Sequence, residues 1–321
     1  LIPGCDLSRP AAVDAAAIVA QARGFEVTHI QASPAFLEKV ADQCRRQGVR
    51  LGSVRRICTG GAPVFPRLLD RLQAAAPQAE ITAVYGSTEA EPIACLPRAN
   101  LRPRDRSAMD AGAGLLAGRP VSAARLRVMS DRWGLPIGPF READFERLCL
   151  GAGQAGEIVV SGAHGLKGYL RGEGDRETKF SVEDRGWHRT GDAGCVDAEG
   201  NLWLLGRCAA RISDRKGVLY PFTVEAAAAG LAAVRRSACV RTGGGRTLVV
   251  EPAANSAQAE WGDLKSKFAW AHIEQVLVLP RIPVDRRHNA KVDYPELDRM
   301  LKRRKRNPLP SPAEDSAGIT G

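Results

Sequence analysis

The stretch that most constrains the fold of this chain runs from Val54 to Glu89. Two apolar, β-prone runs, Val54 to Cys58 and Ile81 to Tyr85, bracket a Gly-rich turn and a helical pattern. Pro66 precedes Leu68, Leu69 and Leu72, the spacing of an amphipathic helix with proline in its first turn. Strand, Gly-rich turn, helix and strand in that order predict an α/β layered sheet whose strand ends carry a ligand. The second run passes straight into Gly86-Ser87-Thr88-Glu89, which reads as a tight turn. It sets small hydroxyls, backbone N–H groups and a carboxylate at one strand end. Hydroxyls and amides bind phosphate oxygens, and a hard carboxylate suits Mg2+, a hard cation that keeps most of its waters. Taken alone, the same residues also read as an ordinary Gly-Ser turn with a capping Glu.

The rest of the chain extends this pattern. Residues 11–22 and 35–47 read as helices, and Gly156 to Gly162 as a compact strand between glycines. Asp197-Ala198-Glu199-Gly200 separates two short strands as a hairpin loop does, and the segments 151–156 and 162–174 are loop-rich. This middle part is expected to be a β-rich subdomain capping the larger α/β layer. Beyond Arg207, Thr247 to Val250 and Gln275 to Leu279 are strand-like, Gln258 to Phe268 helical, and Pro283 to Ala290 a polar loop. A small α+β domain over 208–306 is therefore expected, with the boundary at Arg207 to Ala210. Residues 307–321, rich in Pro, Ser and Ala, read as a disordered tail.

At 321 residues with 44% apolar content, the chain is long enough for two domains with a sizeable core. No apolar run approaches bilayer-crossing length and no charged-then-apolar leader opens the sequence, so a soluble, cytoplasmic protein is expected. The eight cysteines (5, 44, 58, 95, 149, 195, 208 and 239) are scattered, with no Cys-x-x-Cys pair, and read as reduced thiols. The net charge of +10 is concentrated at one end, because Arg299, Lys302, Arg303, Arg304, Lys305 and Arg306 fall within one octet. A solvated helix end is the preferred reading of that octet, with peripheral contact to an anionic membrane or RNA left open. No stacking aromatics accompany it, which argues against nucleic acid.

Four segments taken together carry a family resemblance: Thr59-Gly60-Gly61-Ala62-Pro63, then Val84-Tyr85-Gly86-Ser87-Thr88-Glu89, then Trp187-His188-Arg189-Thr190-Gly191-Asp192, then Gly206-Arg207. In that order and at those intervals they resemble the AMP-forming adenylating enzymes: acyl-CoA synthetases, adenylation domains of peptide synthetases and luciferases. The resemblance covers nearly the whole chain. It implies a large adenylating domain ending at residue 207 and a small C-terminal lid. It also implies that Gly61, Ala62 and Pro63 lie against adenine with Tyr85 flanking, and that Thr88 meets the phosphate within the Gly86-Ser87-Thr88 turn. Glu89 would hold magnesium, Asp192 the ribose hydroxyls, and Arg207 would stand near ribose and phosphate. A carboxylate bidentate to a diol and a guanidinium beside phosphate are chemically apt. Lys291 resembles the mobile catalytic lysine of the lid, a point cation for the charge that builds on a transferring acyl-phosphate.

Three departures stand out. The family's phosphate-gripping Ser/Thr-Gly-rich loop with its lysine is not found ahead of these segments, so the sequence reads as a polypeptide entered midway. Ala210 takes the place of the usual acidic or lysine hinge residue, and Ala290 that of the glycine before the lysine. Asp285 to Lys291 and Gly217-Val218-Leu219-Tyr220-Pro221 resemble the branch that contains olefin β-lactone synthetases and related fatty-acid ligases. The expected activity is ATP-dependent activation of a carboxylic acid, with a fatty acyl group favoured. Coenzyme A is the first acceptor, lactone closure by a β-hydroxyl the second, and a non-catalytic nucleotide-binding remnant a further alternative.

Overall fold

The structure is a computed structural model that describes residues 6, 13–254, 256, 261–284 and 291–306. It begins with α1 (Ala15–Gly24), β1 (His29–Ala32), α2 (Pro34–Gln47), β2 (Arg56–Gly60), α3 (Pro66–Ala75) and β3 (Glu80–Ser87). Then come β4 (Ala90–Pro97), α4 (Pro103–Asp110), β5 (Leu115–Pro120), β6 (Arg125–Met129), α5 (Glu142–Glu146) and β7 (Gly156–Ser161). They lead into α6 (Asp175–Thr178), β8 (Lys179–Val182), β9 (Arg185–Val196) and β10 (Leu202–Arg207). After Arg207 follow β11 (Ile212–Asp214), β12 (Gly217–Leu219), α7 (Pro221–Ala229), β13 (Val234–Thr242), β14 (Gly245–Pro252), α8 (Asp263–Lys267), β15 (Ile273–Val278) and α9 (Tyr294–Arg306).

The predicted strand–turn–helix–strand unit is β2, α3 and β3, with β1, β2 and β3 parallel neighbours. Leu68, Leu69 and Leu72 of α3 are buried with Leu37 and Val40 of α2 against Ile57 and Ile81 of the sheet. The 3.6-residue spacing of those leucines puts them on one face, and their burial against the sheet holds the layer together. The helix expected over 11–22 starts after Asp14, whose carboxylate accepts from the N–H groups of Ala16 and Ala17; residues 7–12 lie outside the described residues.

The β-rich middle is built directly onto the α/β layer. Its strands continue the same sheet in the order β1-β2-β3-β4-β5-β10-β9-β7-β6, with β8 on β9. The seam is narrow, with Ala94 opposite Pro120 and Cys95 opposite Arg119, continued by the Val121 N–H donating to the Ile93 carbonyl at 2.9 Å. Gly118 makes that approach possible: it has φ +87°, and a Cβ there would fall 2.1 Å from the Cys95 carbonyl oxygen. The hairpin loop expected at 197–200 joins β9 and β10.

Beyond β10 a small three-stranded sheet, β13-β14-β15, is covered on both faces. Leu248 and Val250 cluster with Val224 of α7 and Phe268, while Val249 clusters with Leu297 and Leu301 of α9. Alternate residues of one strand thus feed two cores, as period-2 geometry requires. The helix expected over 258–268 is the shorter α8, and residues 257–260 lie outside the described residues. The tail 307–321 also lies outside them. On α9, Arg299 pairs with Glu296 and Lys302 with Asp298. No helix among the described residues is long and apolar enough to cross a membrane.

Residues after β10 pack back on the preceding strands and helices, with Phe222 of α7 against Phe65 and others held by Asp131. Its carboxylate accepts from the Tyr220 hydroxyl at 2.9 Å and from Arg211 Nη1 at 3.2 Å, both beyond the Arg207 to Ala210 junction.

Candidate active site

Parallel pairing of β2 with β3 puts the first two sequence segments side by side, with Gly60 in register with Val84. A Cβ at Gly60 would lie 2.6 Å from the Val84 carbonyl oxygen, so glycine is required where the strands draw closest. Gly61 then turns with φ +79° and is exposed, leading into half-buried Ala62 and Pro63. The Gly61-Ala62-Pro63 segment thereby leaves the sheet beside Tyr85.

Tyr85 connects to the third segment. Its hydroxyl donates to Asp192 Oδ2 at 2.8 Å, a contact between residues 107 apart in sequence. Burial and then the Asp192 charge push the phenol well above its ordinary pKa, so Tyr85 is a donor here. Asp192 is opposite Arg207 in the β9–β10 register, and Arg207 Nη1 donates to its Oδ1 at 2.8 Å and to the Thr190 carbonyl at 3.2 Å. Thr190 Oγ1 accepts from the Asp192 N–H at 3.0 Å and fixes the turn. Gly191 carries φ +70°, and a Cβ on it would lie 2.9 Å from the Trp133 ring. All four segments therefore converge. A carboxylate has about four lone-pair sites, so with two bonds made Asp192 keeps acceptor capacity for a diol.

The 86–89 segment differs in detail from a turn that follows the strand. β3 runs on through Gly86 and Ser87, and the turn is Thr88-Glu89, leading into antiparallel β4. Thr88 is exposed and Glu89 half-buried. Burial raises the Glu89 pKa, but hydrogen bonds from the Tyr169 hydroxyl and its own N–H outweigh it, so the net shift is downward and the group is anionic. The Tyr169 hydroxyl donates to Glu89 Oε1 at 2.9 Å. Ser87 Oγ is buried without a partner in hydrogen-bond geometry, and its hydroxyl adds to the lowering of the Glu89 pKa. Nearby, Lys179 Nζ stands 3.5 Å from His188 Nδ1. Burial, then that ammonium, lowers the His188 pKa to about 4.

Lys291 is not part of this cluster. It is exposed next to Val292, which forms a bridge with Val284, and residues 285–290 lie outside the described residues. Sequence reasoning missed Tyr169, Thr190 and the buried pair Glu157–Arg189, whose guanidinium is bidentate to the carboxylate at 2.7 Å twice. A signal for the last was available: Glu157 interrupts an otherwise apolar strand, and a charge there needs a buried partner.

Comparison with known proteins gives the family and the fold. The family described as AMP-binding enzyme matches residues 5–170. An olefin beta-lactone synthetase of Stenotrophomonas maltophilia is 31% identical over 92% of this chain and 55% of its own length. The chain thus spans about half the length of that relative. The amide bond synthetase of Marinactinospora thermotolerans shares the fold at a TM-score of 0.72 and 23% identity, over 90% of this chain and 56% of that one. O-succinylbenzoate Coenzyme A Synthetase of Bacillus subtilis, solved with ATP and a magnesium ion, gives 0.65 and 23%, over 90% and 54%. Four motifs brought to one place by the adenylating fold, with the family match over half the sequence, establish that the chain belongs to the AMP-binding enzyme family.

Proposed function

We propose that this chain is the nucleotide-binding and lid part of an AMP-forming ligase that converts a carboxylic acid and ATP to an acyl-adenylate and pyrophosphate. The observation that carries the reading is the Asp192 carboxylate, joined at 2.8 Å to Tyr85 on one side and to Arg207 on the other. In this reading Gly61, Ala62, Pro63 and Tyr85 flank the adenine, Asp192 accepts the ribose hydroxyls, and Arg207 and Thr88 contact phosphate. Residues 1–207 belong to the large domain, 208–306 form the lid, and Lys291 is the lid's cation for the transition state.

The residues present fit a magnesium ion. Glu89 is anionic and the Ser87 hydroxyl beside it is buried and unpartnered. No group of three or more metal-ligating side chains exists among the described residues. A cation here would be held by Glu89 and the nucleotide's phosphates, the usual manner for magnesium. When bound, it would supply neutralising charge to the phosphate oxygens.

For the acceptor, the lactone synthetase likeness over 92% of the chain favours closure by a β-hydroxyl within a long-chain β-hydroxy acid. Proximity within one substrate then replaces a second substrate. Coenzyme A, first from the sequence alone, becomes the second reading, supported by the coenzyme A synthetase of similar fold. The complete polypeptide, given ATP, magnesium and a long-chain β-hydroxy acid without coenzyme A, should release AMP through multiple turnovers. Stalling after one adenylate until coenzyme A is added would select the second reading, and no adenylate with any fatty acid would discard both. The nucleotide part is tested separately: Asp192→Ala should weaken AMP binding by about 1–3 kcal/mol in calorimetry. Unchanged AMP affinity would remove Asp192 from the site.

A further inference from the structure

The loop-rich segment 162–174 grips Glu89 twice. The Leu166 N–H donates to the Glu89 carbonyl oxygen at 2.7 Å, and the Tyr169 hydroxyl donates to its carboxylate Oε1 at 2.9 Å. Tyr169 is itself held from two sides. Its N–H donates to Asp175 Oδ1 at 2.9 Å, and its ring lies under the Lys179 ammonium, 5.0 Å from the centroid. Lys179 in turn donates to the Leu166 carbonyl at 2.6 Å, closing the loop on itself.

We propose that Tyr169 is a positioning residue that holds the Glu89 carboxylate ready for a divalent cation shared with a bound nucleotide. The inference rests on Glu89 being the metal carboxylate. The Tyr169 hydroxyl and the residue's own N–H are neutral donors that leave the carboxylate charged and with acceptor capacity to spare, so the phenol orients it without competing for it. Lys179 donates to a backbone carbonyl and covers the ring; its ammonium feels the Glu89 charge while being anchored on the loop. Glu89 sits on a turn whose other corner, Thr88, is exposed, so its side chain has rotamer freedom that this hydroxyl removes. With a single protein ligand for the cation, the second layer of contacts bears directly on affinity.

The test measures ATP affinity of this chain by calorimetry with and without Mn2+, and Mn2+ affinity of the ATP complex by electron paramagnetic resonance. Tyr169→Phe, which keeps the ring under Lys179, should weaken Mn2+ binding about tenfold, as loss of a ligand-orienting contact does. ATP affinity without metal and the melting temperature should stay at the parent values. Glu89→Gln separates the two layers of the argument. If Glu89→Gln lowers Mn2+ affinity and Tyr169→Phe does not, the positioning role falls while the metal reading stands. If neither Glu89→Gln nor Tyr169→Phe changes it, or the parent chain shows no Mn2+-linked ATP binding, both fall. Equal weakening of ATP with and without metal in Tyr169→Phe would make the contact merely structural and also overturn the proposal.

Discussion

Glu157→Ala should be among the most damaging single substitutions in the molecule, although Glu157 touches no proposed ligand. Its carboxylate and the Arg189 guanidinium are 0% and 1% exposed and joined by two parallel hydrogen bonds of 2.7 Å. Arg189 also donates to the Leu135 carbonyl at 2.6 Å and to that of Glu177 at 3.4 Å, and faces the Trp133 ring at 5.3 Å. Removing the carboxylate leaves a buried cation with two carbonyls and a ring, a loss of about 3–5 kcal/mol. That is a large share of the roughly 5–15 kcal/mol by which a domain is stable. Glu157→Gln, which keeps an acceptor, should cost about 1.5–3 kcal/mol, the worth of a charge-assisted hydrogen bond. Urea unfolding measures both, with the shift in midpoint read at constant slope. Because Arg189 is three residues from Asp192 on the same strand, AMP affinity should fall with Glu157→Ala as well. The paired change Glu157→Leu with Arg189→Met tests the cause, since removing both charges should recover most of the loss. A single-variant cost below about 1 kcal/mol, or a pair no better than the single, would refute the reasoning.

Three other outcomes are expected. Gly191→Ala forces a side chain into φ +70° and against the Trp133 ring at 2.9 Å; the backbone strain alone should cost about 1–2 kcal/mol, visible as a lower melting temperature with weaker AMP binding, and an unchanged melt would contradict the geometry. Glu225 is buried, accepting from the Tyr294 hydroxyl and the Cys239 N–H, and burial raises its pKa to about 7. The unfolded chain loses that proton near 4.5 while the folded chain keeps it, so this group's contribution, complete below 4.5, falls as pH rises toward 7, by up to about 3 kcal/mol. Glu225→Gln should flatten that part of the stability–pH curve, and an unaltered curve would remove Glu225 as its source. Lys291→Ala in the complete polypeptide should leave ATP affinity near its parent value and slow pyrophosphate release by about a hundredfold or more, whereas equal damage to adenylation and acyl transfer would make the lysine structural.

What could be read from the sequence was whatever depends on neighbours along the chain. The leucines of α3 declare their face by spacing, and Gly156 to Ser161 declares a buried strand by composition. The convergence of four segments was legible only through their order, because the contact that joins them, Tyr85 to Asp192, spans 107 residues. That contact exists because the sheet does not stop at β4. Two residue pairs carry it across to β5, and they do so where Gly118 lets the Cys95 carbonyl come within 2.1 Å of the place a Cβ would occupy. Read locally, the stretch 115–120 offers one glycine before an Arg-Pro, and no periodicity announces that two halves of a sheet are joined there. How the β-rich part joins the α/β layer was not legible without that one residue's role. Tyr169 illustrates the same limit at the scale of the site. A tyrosine in a Gly-rich loop reads as surface, and only the closing of that loop over Thr88-Glu89 turns its hydroxyl toward a carboxylate 80 residues away. Glu157 is the opposite case, since its charge inside an apolar strand demands a buried cation from sequence alone, and Arg189, flanked by His188 and Thr190 on a buried strand, is the residue placed to answer it.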